Sequence, residues 1–203
     1  MTPRLEFRRL GHSFGERNLF EGLNLSLAPE EFLLVTGPNG SGKSTLLRIA
    51  ATLLRPKEGE VRIGGCPSGG REMRRQIGAI FHQPMVYSHL TGREYLHFVA
   101  SIYRTQKGVE EILSRVELTR SADQRIEHYS NGMAQRLNLA RILLQEPSLL
   151  LFDEPCSGLD ASGIASQREV LEDFLQKGAA VVIATHRADL YDGLASRRLH
   201  LSS

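Results

Sequence analysis

Nine consecutive residues, Gly37-Pro38-Asn39-Gly40-Ser41-Gly42-Lys43-Ser44-Thr45, have the spacing of a phosphate cradle, GxxxxGK[ST]. The glycines let backbone N–H groups curl around phosphate oxygens because no side chain intrudes. Lys43 is placed to reach β- and γ-phosphates as a point charge, and the Ser44 hydroxyl to ligate Mg²⁺. A second stretch puts Asp153 and Glu154 at the end of the apolar run Leu149-Leu150-Leu151-Phe152. Asp153 suits the Mg²⁺ shell, through water, and Glu154 suits a base that polarises an attacking water. Acids after a strand also serve as turn or capping pairs. Together with a phosphate cradle they point to triphosphate hydrolysis, and the extra glutamate favours water over an acceptor substrate.

Such residues need elements to hold them. The cradle leaves EFLLVTG (31–37), a short continuous apolar run that predicts a strand buried on both faces, and enters a helix predicted over Lys43–Leu54. Before it, Leu5 and Phe7, then Leu23, Leu25 and Leu27, alternate with period two, predicting a half-exposed antiparallel sheet. Further strands are predicted at 59–65, 77–81, 147–155, 179–185 and 197–201. A helix is predicted across about 161–177. Strands alternating with helices imply a mostly parallel α/β sheet, whose ligands sit at the carboxyl ends of the strands. Thr91-Gly92-Arg93-Glu94 is a capping box opening a helix through about Arg104. The helical stretch from about 86 to 146 predicts a subdomain inserted into the sheet of a single domain, 1–203.

Bulk properties narrow the classes. Of 203 residues, 41% are hydrophobic and 24% charged, and the net charge is +2, too near neutral to argue for nucleic acid as a partner. Two cysteines, Cys66 and Cys156, without metal-ligand spacing, argue against a zinc site or disulfide framework. The N-terminus is charged throughout, with no signal-peptide segment, and no apolar run approaches the ~20 residues of a membrane helix. The Arg-rich stretch 71–75 reads as a solvated helix face.

A third stretch, Tyr129-Ser130-Asn131-Gly132-Met133 followed by Ala134-Gln135-Arg136, reads by itself as a helix entered through Ser130. Such a start serves equally as the cap of an amphipathic helix or as a second anion site. In the order cradle, this stretch, Asp153-Glu154, the chain resembles the ATP-binding subunit of an ATP-binding-cassette (ABC) transporter, essentially end to end. The family signature is LSGGQ; Ser130 and Gly132 match it, while Tyr129, Asn131 and Met133 depart from it.

The resemblance implies an ABC-type P-loop NTPase core with an N-terminal antiparallel β-subdomain and an inserted helical subdomain. It implies ATP and Mg²⁺ as ligands, with Phe14 as the platform under adenine and Gln83 contacting Mg²⁺ and the attacking water. His186 is then the γ-phosphate sensor, and Ser157-Gly158-Leu159-Asp160 the loop that communicates across a dimer. Ser130 and Gly132 would cover the γ-phosphate held by a second copy, so two chains sandwich two ATP molecules. Separate transmembrane permease subunits would receive the motion, with 84–90 as the receiving surface, at the cytoplasmic face of the inner membrane. The short chain and LTGREYLHF (90–98) resemble the haem exporter subunit of cytochrome c maturation; drug, lipid, lipoprotein and polysaccharide export stay open. The alternative is a soluble ABC ATPase of DNA repair, translation or iron–sulfur assembly.

Overall fold

The computed structural model describes residues 2–67, 70–81 and 87–202. In chain order the elements are β1 (Leu5–Phe14), β2 (Arg17–Leu27), β3 (Phe32–Thr36), α1 (Lys43–Ala50), β4 (Glu58–Ile63), β5 (Cys66–Pro67), α2 (Arg71–Arg75), β6 (Ile77–Ile80), α3 (Gly92–Tyr103), α4 (Val109–Arg115), α5 (Asn131–Gln145), β7 (Leu149–Asp153), α6 (Ala161–Gln176), β8 (Ala180–Ala184) and β9 (Arg197–His200). They fall into two compact units, Met1–Ala79 with Pro147–Glu154 and Leu171–Ser203, and Ile80–Glu146 with Pro155–Val170.

The first unit carries two sheets. One is antiparallel, in the order β2-β1-β4-β5. The period-two residues set its register: Leu5 pairs with Leu27 and Phe7 with Leu25, one face turned inward. Register shifts after Phe7 and Leu10 then bring Leu10, Gly11 and His12 into the interior in succession. The other sheet runs β6-β7-β8-β3-β9, with β7, β8, β3 and β9 parallel. Every residue of β7 and β8, and all but Thr36 in β3, is buried. Two covered faces explain why these strands read as unbroken apolar runs. Helix α1 packs against β7 and β8 with Leu46, Leu47, Ile49 and Ala50 buried. It ends at Ala50, short of the predicted Leu54, because Thr52 turns left-handed (φ 59°) and the N–H groups of Leu53 and Leu54 both bond back to the Arg48 carbonyl.

The second unit is helical. Its helix α3 opens on the capping box: Glu94 N–H donates to Thr91 Oγ1 at 3.2 Å and Thr91 N–H to Glu94 Oε2 at 2.8 Å. The Thr91 donors hold the Glu94 carboxyl below the usual carboxylate range. Helix α5 packs on both α3 and α4, and this unit also takes the first turns of α6. The Arg-rich stretch is the short helix α2 of the first unit, with Glu72, Arg74 and Arg75 exposed and Met73 buried.

Candidate functional site

The phosphate cradle is assembled in the first unit. Strand β3 ends at Thr36, and Gly37 follows so tightly packed that a Cβ there would sit 2.3 Å from the Leu201 carbonyl oxygen. Gly42 caps α1 in a left-handed conformation (φ 99°), where any other residue would be strained and would press on the Phe20 ring. That cap offers no side-chain hydrogen bond, and the first turn of α1 carries no acid. The first N–H groups of the helix, from Lys43 onward, therefore lack intrahelical partners and face outward with the positive end of the helix dipole. Lys43 is 8% exposed, and among the described residues its ammonium donates to the carbonyls of Gly37 (2.7 Å) and Pro38 (2.9 Å) and to no carboxylate. A nearly buried cation without a counter-ion, beside unsatisfied amides, is a site that wants an anion. Ser44 and Thr45 are half-buried in the first turn of the helix, and Asn39 and Gly40 lie exposed in the loop. Ser41 Oγ is buried without a hydrogen-bond partner among the described residues.

Parallel register brings the acids to the same edge. Asp153 pairs with Ala184, and Ala184 with Val35, so β7, β8 and β3 finish together. At the usual strand spacing, Asp153 and the start of the cradle are roughly 10 Å apart, a separation that a phosphate chain and a hydrated cation can bridge. Asp153 is 5% exposed. Glu154 follows in a left-handed conformation (φ 49°), unusual for its type and of the kind found where a side chain must be aimed. Its N–H extends the ladder to Ala184 O (2.9 Å).

The end of β8 grips the Glu154 carboxylate. Thr185 Oγ1–H donates to Oε2 at 2.9 Å, His186 N–H donates to Oε1 at 3.0 Å, and His186 Nδ1 stands 2.9 Å from Oε2. Thus the predicted base and the predicted sensor are direct partners. Thr185, 1% exposed, is a member that sequence reading missed; its place between a buried strand and a histidine was the available signal. The His186 side chain is 70% exposed. Phe14 lies 56% exposed at the β1–β2 turn, its ring edge to face with that of His12. Gln83 falls outside the described residues.

Ser130 and Gly132 lie in the second unit. Ser130 is the N-cap of α5, its Oγ accepting from Met133 N–H at 3.2 Å. The N–H groups of Asn131 and Gly132 remain without intrahelical partners. A Cβ on Gly132 would meet the Gly158 carbonyl at 2.8 Å, so Ser157–Asp160 lies directly on the helix start. Arg136, one turn on, clamps that loop: Nη2 reaches Asp160 Oδ1 (3.1 Å) and Ser162 Oγ (3.2 Å), and Nη1 binds Glu117. The Gly163 amide, then Ser162 and Arg136, hold the Asp160 carboxyl below its usual range. Ser130, Gly132, Met133, Arg136, Gly158 and Asp160 line a cleft of about 250 Å³.

The departure at Tyr129 has a local cause. Its hydroxyl donates to Ser121 O (2.8 Å) and lies where a Cβ on Gly92 would fall, 2.2 Å away. Burial pushes the phenol up. Cys156 is half-buried, with its thiol 3.3 Å from Gln167 Oε1.

The family model described as ABC transporter matches residues 20–157, from the second strand through both the cradle and the acids. The chain belongs to the ABC transporter family. An uncharacterised ABC transporter ATP-binding protein, YdbJ of Bacillus subtilis, is 33% identical over 96% of this chain, which spans 65% of YdbJ's length. The cytochrome c biogenesis ATP-binding export protein CcmA 2 of Cupriavidus metallidurans is 35% identical over 90% of the chain and 89% of its own length. Among solved structures, the dimeric bacterial ABC transporter cassette MJ0796 superposes with a TM-score of 0.86 at 28% identity, covering 98% of this chain and 94% of that one. The same cassette is also known as a dimer in a post-hydrolysis state with ADP and Pi (TM-score 0.85). This ABC protein is accordingly an ATP-binding, ATP-hydrolysing cassette, with the α/β P-loop fold expected of one.

Proposed function

We propose that two copies of this chain close over two Mg·ATP and that the cycle drives separate membrane-embedded permease subunits. The observation that supports the pairing is the presence of two anion-ready helix starts, one in each unit, of which only the first has carboxylates at its strand edge. Ser130 and Gly132 of one copy would cover the γ-phosphate held at Gly37–Thr45 of the other, and Ser157–Asp160, clamped by Arg136, would carry the state of one site to the second.

Mg²⁺ suits the donors present: the Ser44 hydroxyl, the phosphates and, through water, Asp153, with Gln83 assigned to the same ion by the family pattern. A hard cation with oxygen ligands and retained waters needs no larger protein cage, and no cluster of three or more ligating His, Cys, Asp or Glu exists among the described residues. When bound it neutralises phosphate charge. The chain's own step is at Glu154. In its present grip the carboxylate is engaged by three donors. When His186 turns to the γ-phosphate, the position its ring held on Oε2 is freed to accept a proton from the attacking water, while Thr185 still orients the carboxylate.

A membrane partner is favoured by an exposed apolar patch in the helical unit. Tyr87 (61% exposed) and Phe98 meet edge to face at 5.5 Å, with Ile102 one turn along α3. Pro84, Met85 and Val86 of the predicted receiving segment lie outside the described residues. No helix among the described residues is long and apolar enough to cross a membrane, so attachment at the cytoplasmic face would run through the permease. Haem is one cargo this reading admits, supported by the likeness to CcmA 2. The test of pairing is dilution. ATP turnover per chain should rise with protein concentration and saturate; a constant per-chain rate down to concentrations where only monomer sediments would refute the shared site.

A further inference from the structure

The guanidinium of Arg17 lies against the phosphate cradle, and no family motif or sequence pattern above assigns it a role. A Cβ built on Gly40 would be 3.3 Å from Arg17 Nη2 and 3.4 Å from Nη1. Further along β2, Leu19 and the Phe20 ring lie as close to Gly42, so this strand runs along the cradle with Arg17 at its outer end. Arg17 is exposed, and its guanidinium makes no hydrogen bond or ion pair with any described residue. Its neighbours on the cradle are themselves positive, the ammonium of Lys43 and the uncapped start of α1. A second cation without an acidic partner among the described residues, added beside that positive helix end, is unfavourable by itself and becomes favourable when an anion arrives.

Its partner across the hairpin fixes which part of the anion it meets. Arg17 pairs with Phe14 at the turn, so it stands between the exposed ring offered to a base and the glycines offered to phosphates. We propose that Arg17 is a further nucleotide-binding residue, its guanidinium bonding the inner phosphates, α and β, of the bound nucleoside di- or triphosphate. This rests on the reading of Gly37–Thr45 as the nucleotide cradle. It adds a cation carried by the β-hairpin, so that bound nucleotide adds a polar tie to the packing of Leu19 and Phe20 on Gly42.

The experiment is equilibrium binding of ATP and of ADP, by calorimetry, to the full chain and to Arg17→Lys, Arg17→Ala, Arg17→Glu and Lys43→Ala. The expected order is graded by charge. The lysine variant should bind within about threefold, the alanine variant about tenfold more weakly and the glutamate variant about a hundredfold more weakly, the range expected for a charge-assisted hydrogen bond. ATP and ADP should lose equally. Unchanged affinity in Arg17→Glu, beside lost binding in Lys43→Ala, would overturn this assignment alone. A loss confined to ATP would place Arg17 on the terminal phosphate and also overturn it, as would equal losses in the alanine and glutamate variants. Retained binding by Lys43→Ala would bring down the cradle and this proposal together.

Discussion

At the scale of single residues, the site is a balance between charges held ready and charges held in check. Lys43 is nearly buried and unpaired, waiting for phosphate, whereas Glu154 is fully engaged by Thr185 and His186. Replacing Glu154 with glutamine removes the base but keeps the shape, so turnover should fall about 10²–10⁴-fold with ATP binding retained; single-turnover kinetics beside nucleotide titration check both halves. His12 makes a different prediction. It is 6% exposed, neither ring nitrogen has a partner among the described residues, and its ring meets Phe14 edge to face at 5.0 Å. Burial, with Lys57 adding to it, pushes the imidazole below its ordinary value. As pH falls below about 6.5 the unfolded chain takes up a proton at His12 that the folded chain refuses. The contribution is thus complete above that pH and lost progressively below it. Thermal unfolding between pH 7.5 and 5.5 should show a smaller loss in His12→Phe than in the parent chain.

At the scale of elements, the departure from the LSGGQ signature at Tyr129 is accommodated by a glycine on a neighbouring helix. Tyr129 is tolerated where leucine is usual because Gly92, at the first position of α3, leaves room for its hydroxyl, which in turn ties the entry of α5 to Ser121. Gly92→Ala should therefore cost about 1–2 kcal/mol by displacing that hydrogen bond. The same change in a Tyr129→Leu background should cost much less, because the obstructing hydroxyl is gone. Chemical denaturation of the two single variants and the double variant measures the coupling, and additive costs would dissolve the pair. Gly132 and Gly158 form the second close approach, a Cβ on Gly132 falling 2.8 Å from the Gly158 carbonyl. There Arg136 and Asp160 supply the electrostatic clamp.

At the scale of the whole molecule, the two units carry different parts: one the cradle, the carboxylates and His186, the proposed sensor, the other the capped helix start and the apolar patch. On the proposed mechanism ATP is the adhesive between copies and its hydrolysis the release. Glu154→Gln with ATP should then sediment as a dimer, and the same protein with ADP as a monomer. Sedimentation velocity reads this directly, and a monomer in both nucleotides would argue that the signature does not serve a second copy.

Motif spacing sufficed for the cradle, the acids and the parallel core, because these depend on local constraints. Glycines must stand where amides face a phosphate, and a strand covered on both faces must be apolar throughout. The capping box at Thr91–Glu94 was equally legible, its partners being three residues apart. What sequence could not supply was every contact made across long separations in the chain. The Thr185 and His186 grip on Glu154 depends on β8 lying beside β7 in register. The approach of Arg17 to Gly40, and of Tyr129 to Gly92, depends on how a hairpin and two helix ends settle against one another. Such approaches leave no periodicity, because packing sets them residue by residue only once the chain has closed.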